Sequence, residues 1–215
     1  MIEVSTQINA VRRQVGTATV EAGEARSVTI SQTYDAPIDD VWDACTSAER
    51  IPRWFLPVSG DLRLGGHYQL EGNAGGTVER CDPPRSFAAT WEFGGEVSWI
   101  ELRLHAEPDG GTRFELEHTA SVDQTRWAEF GPGAVGIGWD LAVVGLTLHL
   151  SSGAPVDQAA AAAWMASEAG REFVSASGQQ WYEASVAAGT DPAEAKAAAE
   201  RVFAAYTATP SDDPA

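Results

Sequence analysis

Basic residues are scarce in this chain. Lys and Arg total 14 against 31 Asp and Glu, for a net charge of −17, and Lys196 is the sole lysine. Phosphate backbones are bound by Lys and Arg that displace counterions. A surface of this sign repels nucleic acid and anionic headgroups. The nearest basic pairs, Arg12-Arg13 and Arg50 with Arg53, make no stripe. Cysteine is almost missing. Cys45 and Cys81 form neither a CxxC pair nor a metal spacing, and they read as two reduced thiols. His67, His105, His118 and His149 give no HxH or HExxH pattern, so no zinc motif is present. There is no Walker A motif, no Gly-x-Ser-x-Gly elbow and no suggestive Cys–His order. Long apolar runs are lacking too. The most apolar stretch, Ala134 to Leu150, is 17 residues and includes Asp140 and His149. A bilayer span takes about 20 mostly apolar residues, so this stretch reads as a buried helix. Met1 to Arg13 has no apolar signal core. Together these gaps predict a soluble, cytoplasmic, acidic protein with no cofactor and no metal, partnered by neither nucleic acid nor membrane.

What is present is an order of parts. The first 26 residues read as an arm, with a strand over Val15 to Glu21 that turns at Ala22-Gly23-Glu24. Ser27 to Tyr34 alternates with period two and is rich in β-branched residues. Asp35-Ala36-Pro37 stops that strand and opens a helix whose first turn holds Asp39 and Asp40, where carboxylates suit the helix dipole. Ile38, Val41, Trp42 and Cys45 share its inward face. A short second helix runs from Ser47 to Trp54-Phe55.

Glycine and proline turns then punctuate a series of hairpins. Strands are predicted at Asp61 to Leu64, His67 to Gly72, Thr77 to Cys81, Ser86 to Phe93, Val97 to Ala106 and Thr112 to Ala120. Alternation puts Phe87, Ala89, Trp91 and Phe93 on one side, and Phe114, Leu116 and His118 likewise, as in a sheet covering one core. A closing apolar helix begins near Gly138-Trp139-Asp140, with Val135, Trp139, Val143, Leu146 and Leu150 forming a stripe toward the sheet. Gly131 to Gly136 fits G-x-G-x-x-G but lacks the preceding strand and βαβ setting of a dinucleotide site, so it reads as a flexible lead-in. After Pro155 come alanine-rich helices over Asp157 to Ala166, Glu172 to Ala188 and beyond Asp191-Pro192. Thr209 to Ala215 reads as a frayed tail.

The segment from Val28 to Leu150 resembles the START-like (SRPBCC, helix-grip) superfamily, and within it the branch of activator of Hsp90 ATPase homologues (AHSA1-like). The resemblance is carried by Ala36-Pro37 with Val41-Trp42-Asp43-Ala44, Arg53-Trp54-Phe55, Gly65-Gly66, Asp82-Pro83-Pro84 before Thr90-Trp91, Gly111-Thr112-Arg113 with His118, and Gly138-Trp139. It implies an α+β helix-grip fold, a curved antiparallel sheet wrapped on a long C-terminal helix around a hydrophobic pocket; the extra α-helices after Pro155 extend beyond the common domain and are not implied by it. Relatives include carriers, cyclases and receptors, so the fold alone does not settle a reaction. The expected organisation is an arm over 1–26, a START-like domain over 27–150, a helical extension over 151–207 and a tail over 208–215.

The expected function is binding of a small hydrophobic or amphipathic molecule in a pocket of about 300–1,000 Å³. Trp54, Phe55, Tyr68, Trp91, Phe114 and Trp139 are the aromatic candidates for its wall, with Val143 from the closing helix. His118 lies in phase with Phe114 and Leu116 and is an inward candidate to orient a ligand or act as a general base. Asp140 interrupts the closing helix, either as a carboxylate bonded at the helix start or as a pocket carboxylate paired with an arginine. A cyclase- or hydratase-type enzyme would use His118 with Asp140 or Tyr68. An interaction protein stimulating a chaperone ATPase is a further alternative, and the helical extension would cap the pocket, brace the sheet or make a homodimer.

Overall fold

The computed structural model describes residues 2–20, 23–121, 127 and 129–208. The expected turn at residue 22 and the tail from residue 209 lie outside them. The chain opens with a helix, α1 (Val4–Ala10), capped by the Glu3 carboxylate on the backbone N–H groups of Ser5 and Thr6. The sequence predicts only a strand in this arm. The strand is there as β1 (Arg12–Val20), paired antiparallel to β2 (Gly23–Tyr34). Helix α2 (Ile38–Thr46) follows Pro37, and a 3₁₀ turn covers Ile51–Arg53.

Strands β3 (Val58–Gly60), β4 (His67–Leu70), β5 (Gly75–Asp82), β6 (Ser86–Phe93), β7 (Glu96–Ala106) and β8 (Thr112–Ser121) complete one antiparallel sheet. Its order is β1-β2-β8-β7-β6-β5-β4-β3. The strand expected at Asp61 to Leu64 is instead a turn. The Asp61 carboxylate bonds the Arg63 backbone and guanidinium, and Gly66 N–H closes on Arg63 C=O. Local side-chain bonding of this kind competes with ladder pairing.

Register places the apolar residues in rows. Ile30 faces Leu116, Leu116 faces Leu102, and Leu102 faces Phe87. The outer face is charged. There Arg103 bonds Glu101, Glu115 and Glu117, relieving the direct pairing of Glu101 with Glu117. Phe93 points to the inner side as expected but stands at the hairpin tip and is 58% exposed.

The closing helix α3 (Gly133–Ser152) is longer than its sequence suggested, because Gly133 to Gly136 are already helical rather than a flexible lead-in. Trp139, Val143 and Leu146 face the sheet as expected, while Val135 is 40% exposed. Among the described helices α3 alone is long and apolar enough to cross a membrane, and half of that window is buried inside the fold. A helix apolar all round needs partners all round. Behind α3 lie α1 and the C-terminal helices α4 (Gln158–Met165), α5 (Glu168–Ala187) and α6 (Pro192–Thr207). Caps start each of the three: Asp157, Ser167 and Asp191 accept backbone N–H groups. The sheet, α3 and the outer helices thus form three layers.

Two glycines make the close packing of α3 possible. A Cβ on Gly145 would lie 2.2 Å from the Trp54 carbonyl oxygen, and one on Gly136 would lie 2.2 Å from the Trp181 ring. One face of α3 therefore touches the 51–56 segment and another touches α5.

Candidate functional site

A cavity of about 130 Å³ lies between α3, the inner face of the sheet, α2 and the 51–56 segment. Trp54 and Phe55 reach it from the turn, Tyr68, Trp91 and Phe114 from the sheet, and Trp139 and Val143 from α3. Seven of the sequence candidates therefore share one wall. The cavity is smaller than the expected 300–1,000 Å³, because the same aromatics that line it also fill it. Trp54 stacks on Phe55 at 5.4 Å and Phe55 on Trp139 at 6.2 Å, while Trp139 meets Trp91 at 5.1 Å, tilted by 58°. A void near 150 Å³ with aliphatic and aromatic walls stays dry and accepts a molecule of about benzene's size.

The wall is positioned from outside. Trp54 donates its indole N–H to the Ala44 carbonyl at 2.8 Å, and its backbone is held against Gly145. Tyr68 donates its hydroxyl to the Thr90 carbonyl at 2.7 Å, so its polar tip is already engaged. Burial raises the Tyr68 phenol above its ordinary range and keeps it protonated.

Cys45 and Cys81 also line the cavity. Spacing predicts Cys45 on the inward face of α2 and puts Cys81 at the end of a strand, and neither is among the wall candidates that the sequence offers. Burial pushes the Cys45 thiol up to about 12, which makes it a small apolar wall group and not a nucleophile.

His118 stands one layer behind the wall. Its Nδ1 accepts the Trp139 indole N–H at 3.0 Å, and its Nε2 lies 2.8 Å from the Ser98 hydroxyl. Indole only donates, so Nδ1 is bare, and the proton of the neutral ring sits on Nε2 and goes to Ser98. Ser98 in turn donates to the Trp91 carbonyl at 3.0 Å. Burial lowers the His118 pKa to about 4. The ring thus holds Trp139 in place; it is not among the residues lining the cavity.

Asp140 lies on the far side of α3. Its carboxylate accepts from Arg13 at 2.7 Å and 3.0 Å, from the Ser177 hydroxyl at 2.6 Å and from the Trp181 indole at 2.8 Å. Arg13 and Asp140 side chains are 2% and 1% exposed. The arginine partner expected for a pocket carboxylate is found, but the pair faces α5 rather than the pocket. His118, Asp140 and Tyr68 do not converge on one face of the cavity, as an acid–base site would require. Among the described residues no group of three His, Cys, Asp or Glu is placed to hold a metal.

The family model described as Activator of Hsp90 ATPase homolog 1-like protein matches residues 35–150. CalU16 from Micromonospora echinospora is similar over most of the chain. Its crystal structure aligns at 37% identity and TM-score 0.65, covering 84% of this chain and 99% of that one. Its solution structure aligns at 39% identity and TM-score 0.68, covering 84% and 97%. That coverage exceeds residues 35–150, so the likeness takes in flanking residues. DynU16, a protein in the dynemicin biosynthetic locus, shares the fold at 19% identity and TM-score 0.54, over 60% of this chain and 48% of that one. No curated protein matches the chain.

Proposed function

The chain belongs to the activator of Hsp90 ATPase homolog 1-like family, and from that premise we propose that it binds a small apolar molecule in the cavity between α3 and the sheet. One observation carries this reading. Aromatic side chains from three separate parts of the chain meet around a space that remains unfilled. Close packing is the rule in protein interiors, and voids larger than a water molecule are few. Burial supplies the binding energy, at roughly 25 cal/mol per Å² of apolar surface. Tyr68 offers no free donor, since its hydroxyl is engaged by Thr90. A ligand with several polar groups would leave them unpaired there. The two groups first suited to acid–base work, His118 and Asp140, are both engaged elsewhere, which supports binding over catalysis.

The test is a titration with bromobenzene, whose heavy atom quenches nearby indoles. Saturable quenching is expected, and it should weaken at least tenfold in Ala89→Leu, which adds bulk at a wall position. Quenching that rises linearly without saturation, in a chain still folded by circular dichroism, would overturn the reading.

A further inference from the structure

A second apolar space lies against the first. A groove of about 980 Å³ runs between α3, α4 and the 51–56 segment, with Leu141, Val144, Leu148, Trp164 and Met165 in its walls. Trp54, Phe55 and Ala142 line both spaces. One layer of side chains divides them.

The divider is unevenly held. Trp54 is fixed by its bond to Ala44 and by its contact with Gly145. Phe55 is half-buried and rests on ring stacking against Trp54 and Trp139. Phe55 lies in both walls and makes no side-chain hydrogen bond, so a rotamer change there would break none. The roof is lightly attached as well. Helix α4 has no buried residue in its Gln158–Met165 span. It is anchored by Trp164, whose ring packs edge-on against Phe173 at 5.5 Å, and by Met165, which packs against the cluster of Ile137, Val174 and Trp181.

We propose that the natural ligand is an elongated, uncharged, apolar molecule, one end in the inner cavity and the rest passing Phe55 into the groove beneath α4. This rests on the cavity reading above and extends it. Size is the first argument: the cavity alone suits only a ring of about benzene's size, whereas the groove adds a volume of the drug-sized class. Charge is the second. Among the described residues Asp157 is the one ionisable side chain in the groove wall, and its carboxylate is engaged in capping Ala160. Among the described residues no Lys, Arg or His lines it to pair with a carboxylate, so a neutral ester or ketone fits better than a fatty-acid anion. The Trp164 indole N–H is enclosed and has no hydrogen-bond partner among the described residues, so a small shift of the roof would offer it to such an acceptor.

The experiment titrates the full chain with two probes, bromobenzene and the fluorescent methyl ester of cis-parinaric acid. Leu148→Trp and Ala161→Trp fill the groove from opposite walls, so one serves if the other does not fold. Each is expected to weaken ester binding at least tenfold while changing bromobenzene binding less than twofold. Ala89→Leu should weaken both. Ester affinity within twofold of the parent in the folded groove variants overturns the proposal while leaving the cavity reading intact. Ester binding insensitive to Ala89→Leu overturns it too, since the ligand would then lie in the groove alone. Free cis-parinaric acid binding as tightly as its ester overturns the uncharged assignment. Loss of saturable bromobenzene binding in the parent chain would instead be a failure of the cavity reading.

Discussion

The indole N–H of Trp139 donates to Nδ1 of His118 at 3.0 Å, so the tautomer of one ring sets the position of the other. Trp139 belongs to the cavity wall and His118 does not. The histidine acts on the site through the tryptophan.

That relationship has a pH dependence. His118 titrates at its ordinary 6.5 in the unfolded chain and at about 4 in the folded one, because burial disfavours the charged ring. Between these values the unfolded state holds the extra proton, so the His118 contribution to stability is lost as pH falls below about 6.5 and levels off near 4. The shift corresponds to roughly 3 kcal/mol. Denaturant unfolding from pH 7 to pH 4 should show the parent losing about that much more than His118→Gln, each referred to its own value at pH 7. Parallel curves would disprove it.

Asp140 takes its bonds from Arg13, Ser177 and Trp181 in a site sealed from water. Removing the carboxylate leaves a buried guanidinium with no counter-charge, held only by the Ile8 and Val11 carbonyls. Asp140→Ala should cost about 3–5 kcal/mol, while Arg13→Met combined with Asp140→Leu should cost less than Asp140→Ala alone. Urea midpoints at constant m-value measure both.

Gly145→Ala places a methyl group 2.2 Å from the Trp54 carbonyl oxygen. Neither backbone yields cheaply, so a loss of about 1–3 kcal/mol is expected. Bromobenzene affinity should fall with it, because Trp54 must move and it lines the cavity. Unchanged melting temperature and affinity would show that α3 and the 51–56 segment separate freely.

Phe55→Ala removes the loosely held part of the divider. Fully buried Phe→Ala changes cost about 3–5 kcal/mol, and half-buried Phe55 should cost less than that. The variant should accept naphthalene, while the parent binds bromobenzene better than naphthalene. Calorimetric titration of the two probes separates the cases.

The Cys45 thiol, raised to about 12 from its ordinary 9.0, holds on the order of a thousandfold less thiolate at neutral pH than an unperturbed one. In Cys81→Ser, Cys45 should react with a disulfide reagent slowed by a comparable factor, and at the ordinary rate after unfolding. Fast labelling of the folded chain would contradict the burial.

The inner face of the sheet was legible because period-two alternation marks it directly. Phe87, Ala89 and Trp91 on β6 and Phe114 and Leu116 on β8 all point where their spacing sends them. The strand share of the aromatic wall, Tyr68, Trp91 and Phe114, was legible for the same reason, and helical spacing marked Trp139 and Val143. Of the late caps only Asp191, just before Pro192, was legible, while Asp157 and Ser167 were not. Three further features were not. Helix α1 is seven residues long, and its stability comes from burying Val4 and Ile8 against distant parts of the chain. The Arg13–Asp140 pairing joins residues 127 apart and has no local signature. Cavity size was misjudged because spacing identifies which rings face inward but not how far they fill the space they enclose.

The Arg13–Asp140 cluster also ties together segments made early, midway and late in synthesis. Ser177 and Trp181 leave the ribosome well after β1 and the sheet have been made. Until they arrive, the Asp140 side of α3 has no α5 over it, and Ile137, which packs with Val174 and Trp181, stays exposed. Maturation of this molecule should therefore wait on its closing stretch, and prematurely terminated chains that carry every strand should be the ones that chaperones and proteases capture.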